Sequence, residues 1–213
     1  MNKPKNTHSP LAPALLYAFL LASCTGLQAP KVETPHVYTL DTQTPLSKPQ
    51  VKRGLVLAVA MPHAQPGFDT TRMAYLRKPH ELNYFAVNRW ADTPARMLDS
   101  LLIQALEQTT SFHAVIQSPS IVTANIRLDT ELVRLQQNFE TQPSQIQLTL
   151  RAQLIDVSSK RLLAVKVFDD IETAPSDDAY GGVVAANLVV QRVLGQLADF
   201  CVKESSNIND KSN

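Results

Sequence analysis

Two stretches of this chain alternate strictly between apolar and polar residues, and they restrict its fold more than any other feature. Ala124, Ile126, Leu128 and Leu132 alternate with Asn125, Arg127, Asp129 and Glu131; Ile146, Leu148, Leu150, Ala152 and Leu154 alternate with Gln147, Thr149, Arg151 and Gln153. Successive side chains on a strand point to opposite faces, so a period of two puts one face in a core and leaves the other wet, as in an antiparallel meander. Val133 and Leu135 reverse the phase of the first stretch. A single extra residue, a β-bulge, does that. Asp156-Val-Ser-Ser-Lys160 then reads as a tight turn into a third strand, Leu162 to Glu172.

The remaining elements follow from punctuation and period. His36 to Leu40 alternates and predicts a first strand, and Asp41 to Gln50 reads as a Thr/Pro/Ser loop. Gly54-Leu-Val-Leu-Ala-Val-Ala-Met-Pro62 is a continuous apolar run between Gly and Pro, the pattern of a central strand covered on both faces. Thr71 to Leu76 and Glu81 to Val87 predict a hairpin around Arg77-Lys78-Pro79, and Phe112 to Ile116 a short strand. Thr93-Pro94 opens a helix with Thr as N-cap and Pro at the first helical position. Leu98, Leu101, Leu102 and Ala105 give that helix one apolar face through about Thr109. A second helix is predicted from Gly181 to about Val202, with Val183, Ala186, Val190, Leu194, Leu197 and Cys201 on one side, followed by a frayed polar tail, 205–213. The order of elements gives an α+β fold: a mainly antiparallel sheet with two helices packed on one face.

The N-terminus carries an address. Lys3 and Lys5 precede a twelve-residue apolar run, Leu11 to Ala22, which is the layout of a secretory signal and too short for a membrane span. Leu21-Ala22-Ser23-Cys24 resembles the bacterial lipobox. Cleavage between Ser23 and Cys24 would leave Cys24 bearing a diacylglycerol and an acylated amine, and three acyl chains exceed the two-signal threshold for stable anchoring. The expectation is a leader over 1–23, a lipid-anchored linker over 24–35, a domain over 36–204 and the tail. The residue after Cys24 is Thr25 rather than Asp. Asp there usually retains a lipoprotein at the inner membrane, so the expected location is the periplasmic face of the outer membrane of a Gram-negative bacterium. With Cys24 committed to lipid, Cys201 has no partner and reads as a buried free thiol.

Charge and composition narrow the function. Twenty Lys and Arg against nineteen Asp and Glu give +1, and loss of Lys3 and Lys5 with the leader leaves 18 basic against 19 acidic side chains. No basic stripe dominates, which excludes a dedicated nucleic-acid binder. An apolar fraction of 44% excludes a disordered chain. The histidines at 8, 36, 63, 80 and 113 show neither helical i, i+4 pairing nor clustering with Cys or carboxylates, so no metal or cofactor is expected beyond the lipid on Cys24. No G-x-S-x-G stands in the chain, and Gly181-Gly182 lacks the setting of a dinucleotide site. Asp169-Asp170 and Asp177-Asp178 read as a strand end and a helix N-terminus. The expectation is a protein that is not an enzyme. Arg72 to Trp90 is different: Tyr75, Arg77, Tyr84, Phe85, Arg89 and Trp90 bring together the residue types of protein-binding hot spots. Tyr75, Arg77 and Tyr84 are the candidate partner-binding residues. The plainer reading has Tyr75 and Tyr84 pairing across the hairpin and Trp90 plugging the core at the helix entry.

The series Asp69-Thr-Thr-Arg-Met-Ala-Tyr75, Leu82-Asn-Tyr84-Phe, Arg89-Trp90-Ala91-Asp-x-Pro94 and Leu98-x-x-Leu101-Leu102 resembles the ABC-type transport auxiliary lipoprotein family, of which PqiC is the best-known type. The lipobox, Tyr38-x-Leu40 and the Val-Leu-Ala-Val-Ala-Met-Pro strand fit the same pattern. The resemblance implies a fold like the N-terminal domain of TolB. It also implies a non-enzymatic periplasmic subunit that docks the MCE-domain component of a system with an ABC permease and ATPase. Such systems move phospholipid or another hydrophobic molecule between membranes, and a homo-oligomer is compatible with the family. Two other classes are an outer-membrane assembly or secretion scaffold, and a lipid-binding carrier with a cavity between sheet and helices.

Overall fold

The computed structural model describes residues 34–42 and 54–209. The leader, Cys24, most of the expected linker and much of the Thr/Pro/Ser loop lie outside the described residues. The strands are β1 (His36–Tyr38), β2 (Val56–Ala60), β3 (His63–Ala64), β4 (Arg72–Leu76), β5 (Leu82–Trp90), β6 (Ala114–Ser118), β7 (Ile126–Asn138), β8 (Gln145–Asp156) and β9 (Leu162–Thr173). Helix α1 (Pro94–Gln108) stands between β5 and β6, and α2 (Ala179–Asn209) closes the order.

Strand β7 organises the sheet. Along one edge it takes three short strands in succession, all parallel to it: β2 beside Ile126–Leu128, β3 beside Glu131–Leu132, and β4 beside Gln136–Asn138. Along the other edge it pairs antiparallel with β8, and β8 pairs antiparallel with β9. β6 lies parallel to β2, and β5 joins β4 to β1. The fold is α+β as expected, and its long pairings are antiparallel. The short pairings were not foreseen: the sheet is mixed, because β2, β3 and β4 reach β7 through crossovers rather than hairpins.

The bulge falls where the phase reversal puts it. The β7–β8 register shifts between Leu132 and Arg134, so Leu128, Leu132 and Leu135 all turn inward opposite Leu154, Leu150 and Leu148. Burying a leucine contributes about 1.5–3 kcal/mol. Without the bulge, Leu135 would face solvent. Leu98, Leu101, Leu102, Ala105 and Leu106 of α1 close over this face beside Val183, Ala186, Val190, Leu194, Leu197 and Cys201 of α2, and these side chains fill the space between sheet and helices.

Both helix starts have specific chemistry. Thr93 precedes Pro94 at N1, but its hydroxyl makes no cap; it is Thr93's carbonyl that accepts the Met97 N–H. At α2, Asp178 is the cap, its Oδ1 accepting the Gly181 N–H at 2.7 Å and the Ser176 hydroxyl at 2.9 Å. These bonds hold the Asp178 carboxyl below the usual range, the Gly181 N–H contributing most. α2 starts two residues earlier and runs seven further than its periodicity predicts, through Asn209. Ser205, read as the first residue of a frayed tail, is buried and donates to the Val202 carbonyl at 2.9 Å.

Gly181 is held by close approach. A Cβ there would meet the carbonyl oxygen and nitrogen of Ser176, which are backbone and cannot swing aside. Alanine gains up to about 1 kcal/mol of helix propensity over glycine. Overpacking costs about 1–3 kcal/mol. Gly181→Ala is therefore expected to lower the urea midpoint at unchanged m-value; an equal or higher midpoint would show that the Ser176 loop yields freely.

Candidate functional site

The hairpin of β4 and β5 carries the three candidate partner-binding residues, and the structure divides them. Ala74 lies opposite Tyr84, Tyr75 opposite Asn83 and Leu76 opposite Leu82. Residues directly opposite share a face, so Tyr75 and Tyr84 project from opposite faces of the hairpin. They do not pair across it. A five-residue tip, Arg77 to Glu81, with His80 at φ +66°, sets this register.

Tyr75 sits in an aromatic cluster. Its ring is 4.8 Å from that of Phe85 and 5.8 Å, edge-on, from that of Phe139, with the Arg77 guanidinium 5.2 Å above Phe139 and 5.7 Å from Tyr75. Phe139 follows β7, and its N–H donates to the Leu76 carbonyl at 2.9 Å. Nothing local in the sequence points to Phe139, which lies more than sixty residues from Tyr75. Tyr84 is committed elsewhere: its hydroxyl donates to the Gly67 carbonyl at 3.0 Å, and the Arg72 guanidinium lies 4.0 Å over its ring. Tyr75 and Arg77 thus form one surface, and Tyr84 ties the hairpin to the turn at Gly67. Trp90 is 5% exposed at the end of β5 and packs in the core, as the plainer reading has it.

The other sequence candidates stay apart. His36 stacks on Tyr38, and His63, His80 and His113 are exposed on separate elements. No group of three or more His, Cys, Asp or Glu residues able to hold a metal occurs among the described residues. Cys201 is fully buried, and desolvation pushes its thiol far above the usual range, so it stays protonated and inert. Asp170 and Glu172 of β9 bind Arg192 of α2, with Arg192 Nε 2.6 Å from Asp170 Oδ2 and Nη1 2.7 Å from Glu172 Oε2. That pins the helix to the sheet rather than marking a reactive pair.

The face of the sheet away from the helices is polar on β7 and β8, as predicted. On β9 it is not. Val165, Val167 and Ile171, opposite Gln153, Arg151 and Gln147, are about half exposed. A depression of about 300 Å³ on this face is lined by Met61, His63, Arg127, Glu131 and Arg151 among others. Its charges neutralise one another: Arg127 Nε is 2.6 Å from Asp129 Oδ1, and Arg151 Nη1 is 3.8 Å from Glu131 Oε2.

One buried acid escaped the sequence reading. Asp99 of α1 is 6% exposed; its Oδ2 accepts from the Gln117 amide on β6, while Oδ1 has no partner. Burial raises its pKa against the lowering effect of the Gln117 bond.

By architecture the protein is an α+β domain with a mixed sheet backed by two helices, and its most distinctive surface is an aromatic hairpin end. The chain belongs to the family described as the ABC-type transport auxiliary lipoprotein component, whose model matches residues 38–200. Among solved structures, protein XCC0632 from Xanthomonas campestris matches with a TM-score of 0.76 at 19% identity, covering 82% of this chain and 99% of the other. Protein CT253 from Chlamydia trachomatis matches with a TM-score of 0.50 at 10% identity, over 70% of this chain and 96% of the other. At these identities both show the fold alone. No curated protein matches the chain significantly.

Asp99 yields a prediction whose sign can be fixed. A folded pKa above the unfolded one means that the folded state binds the proton more tightly, so stability falls as pH rises through that range. Asp99→Asn keeps an acceptor for the Gln117 amide and removes the desolvated charge. Its urea midpoint is expected to exceed that of the parent at pH 7 and to converge with it near pH 4. A lower midpoint at pH 7 would show that the carboxylate itself is favourable in its pocket.

Proposed function

We propose that this protein is an outer-membrane-anchored periplasmic lipoprotein. In this reading it serves an ABC transport system by docking that system's periplasmic MCE-domain component, and so assists transfer of phospholipid or another hydrophobic molecule between the two membranes. The family match over residues 38–200 carries this reading, since it covers most of the folded domain and joins it to ABC transport. The lipobox Leu21-Ala22-Ser23-Cys24 supports the anchor, and Thr25 supports the outer membrane as its site. The domain then acts by position: lipid on Cys24 holds it to one membrane, and its surface binds the protein that spans the periplasm.

The carrier alternative fares worse on packing. A carrier needs a cavity to enclose an acyl chain, and here Leu98, Leu102, Leu106, Leu132, Leu150 and Leu194, each essentially unexposed, occupy the space between sheet and helices.

Two measurements test the proposal together. Cys24→Ala should leave an uncleaved precursor, visible by mass, and remove the protein from outer-membrane fractions. Mild-detergent extraction of the parent should co-purify an MCE-domain protein or its ABC permease. Normal processing of Cys24→Ala would overturn the anchor. Recovery of a β-barrel alone would replace the transport reading with that of an assembly scaffold.

A further inference from the structure

The aromatic end of the domain coincides with the place where the chain enters it. Val37 pairs with Arg89 and Arg89 with Arg72, while Ala74 pairs with Gln136. β1 therefore lies level with about residue 134 of β7, and it runs antiparallel to β7. Traced backwards from His36, the chain heads toward Asn138, the end of the sheet that holds the hairpin tip, Phe139 and the start of α2.

Cys24 is twelve residues from His36, a reach of at most about 43 Å when fully extended. β7, thirteen residues long, spans about 40 Å. From β1 the tip end is on the order of 10 Å away, and the far end, at the β8–β9 turn, about 30 Å away in the opposite direction. Setting the far end against the bilayer would use most of the tether merely to return along the domain. The tip end needs almost none of it.

The chemistry of the tip end suits a membrane interface. Val37 and Tyr180 are each 62% exposed, and the Tyr180 ring lies 6.3 Å from that of half-buried Tyr38. Tyr75, Phe85 and Phe139, nearer the hairpin tip, are half-buried. Tyrosine rings settle at the headgroup level because they are apolar with a polar tip. Arg77 and Lys78 are exposed at the apex, with no carboxylate partner among the described residues. The nearby acids are ordered by hydrogen bonds: Asp177 accepts from the Ser144 N–H, Asp178 from the Gly181 N–H, and Glu81 from the Asn83 amide. A hydrogen bond does not remove a carboxylate's charge, so this end carries acids as well as cations, and Arg77 and Lys78 act locally, by standing at the apex of the hairpin.

We infer that this end, with Arg77, Lys78, Tyr38, Tyr180 and Phe139, lies against the headgroup layer of the leaflet that holds the lipidated Cys24. The inference rests on the anchoring of Cys24 proposed above. It fixes the orientation of the domain, with the β8–β9 turn pointing away from the bilayer.

The test uses the lipidated mature protein in phosphatidylglycerol-containing vesicles whose headgroups carry a quencher. Buried Cys201 does not react with thiol dyes, so a dye can be placed at one engineered thiol: Pro79→Cys at the tip, or Ser159→Cys at the far turn. Vesicle flotation reads the lipid anchor, and quenching reads orientation. In floated protein the dye at 79 is expected to be quenched and the dye at 159 not. Arg77→Glu with Lys78→Glu should reduce quenching at 79, each lost cation costing about fivefold in contact population, while flotation is unchanged. Equal quenching at both sites, stronger quenching at 159, or protection of 79 by the MCE-domain protein rather than by lipid would overturn the orientation. Failure to float would instead overturn the anchor.

Discussion

Everything in this domain depends on β7 keeping one face buried along its whole length while it changes partners on one edge. A thirteen-residue strand with a single phase would carry its apolar face away from the core as the sheet twists, or would turn Leu135 outward after Val133. The bulge resolves this by admitting one unpaired residue and raising the local twist. Its position also separates β2 and β3, which pair before or at it, from β4, which pairs after it. The hairpin of β4 and β5 thus joins the sheet only past the bulge.

At the end of β7 a small polar network replaces leucine packing. Buried Gln137 donates to the Ser144 hydroxyl at 2.9 Å and to the Asp178 carbonyl at 3.0 Å, and Asp177 accepts the Ser144 N–H at 2.6 Å. A buried amide left unpaired would cost about 1–3 kcal/mol, so these partners are specified rather than interchangeable. Gly182 presses on the same amide, and a Cβ there would occupy the place of Gln137 Oε1. Two consecutive glycines that look like a broken nucleotide motif therefore serve a close contact between a strand and a helix start. The contact fixes where α2 begins, and through α2 it fixes the pairing of Arg192 with Asp170 and Glu172.

The sequence shows clearly what is periodic and local. Both long strands, the bulge at Val133, the turn at Asp156 and the apolar faces of the helices follow from side-chain alternation or spacing. Asp156 does what such a turn requires, accepting from Ser158 and Ser159. What the sequence hides is non-local or sensitive to a shift of one residue. Parallel pairing of β2, β3 and β4 leaves no mark in alternation, because a strand's period is the same whichever way its neighbour runs. The placing of Tyr75 and Tyr84 turns on a single residue: tip pairing of Leu76 with Leu82 puts them on opposite faces, and a slip of one would have joined them. Phe139 and Gln117 matter only through residues many positions away. The end of α2 was misread because Ser205 looks polar in sequence, yet its hydroxyl is satisfied by the helix's own carbonyl.

Direction along β7 gives the two ends of the domain different work under the proposed anchoring. The end where the chain enters gathers tyrosines and phenylalanines near the hydrogen-bonded network of Gln137, Ser144 and Asp178. The opposite end exposes aliphatic residues without aromatic neighbours: Leu162 is 54% exposed and Val157 38%, and Val157's N–H donates to the Asn125 carbonyl at the entry to β7. The loop before Asn125 leaves Ile121 wholly exposed and Val122 half so. Aliphatic side chains gain little at a headgroup layer unless they insert, whereas they bind well to a complementary protein surface, so the difference in composition runs in the same direction as the tether constraint. An anchored adaptor that spent its aromatic end on a protein would have to hold these aliphatic residues against the bilayer with most of its tether drawn out. Strand direction, read through the reach of the tether, and the aromatic surface chemistry favour the same orientation.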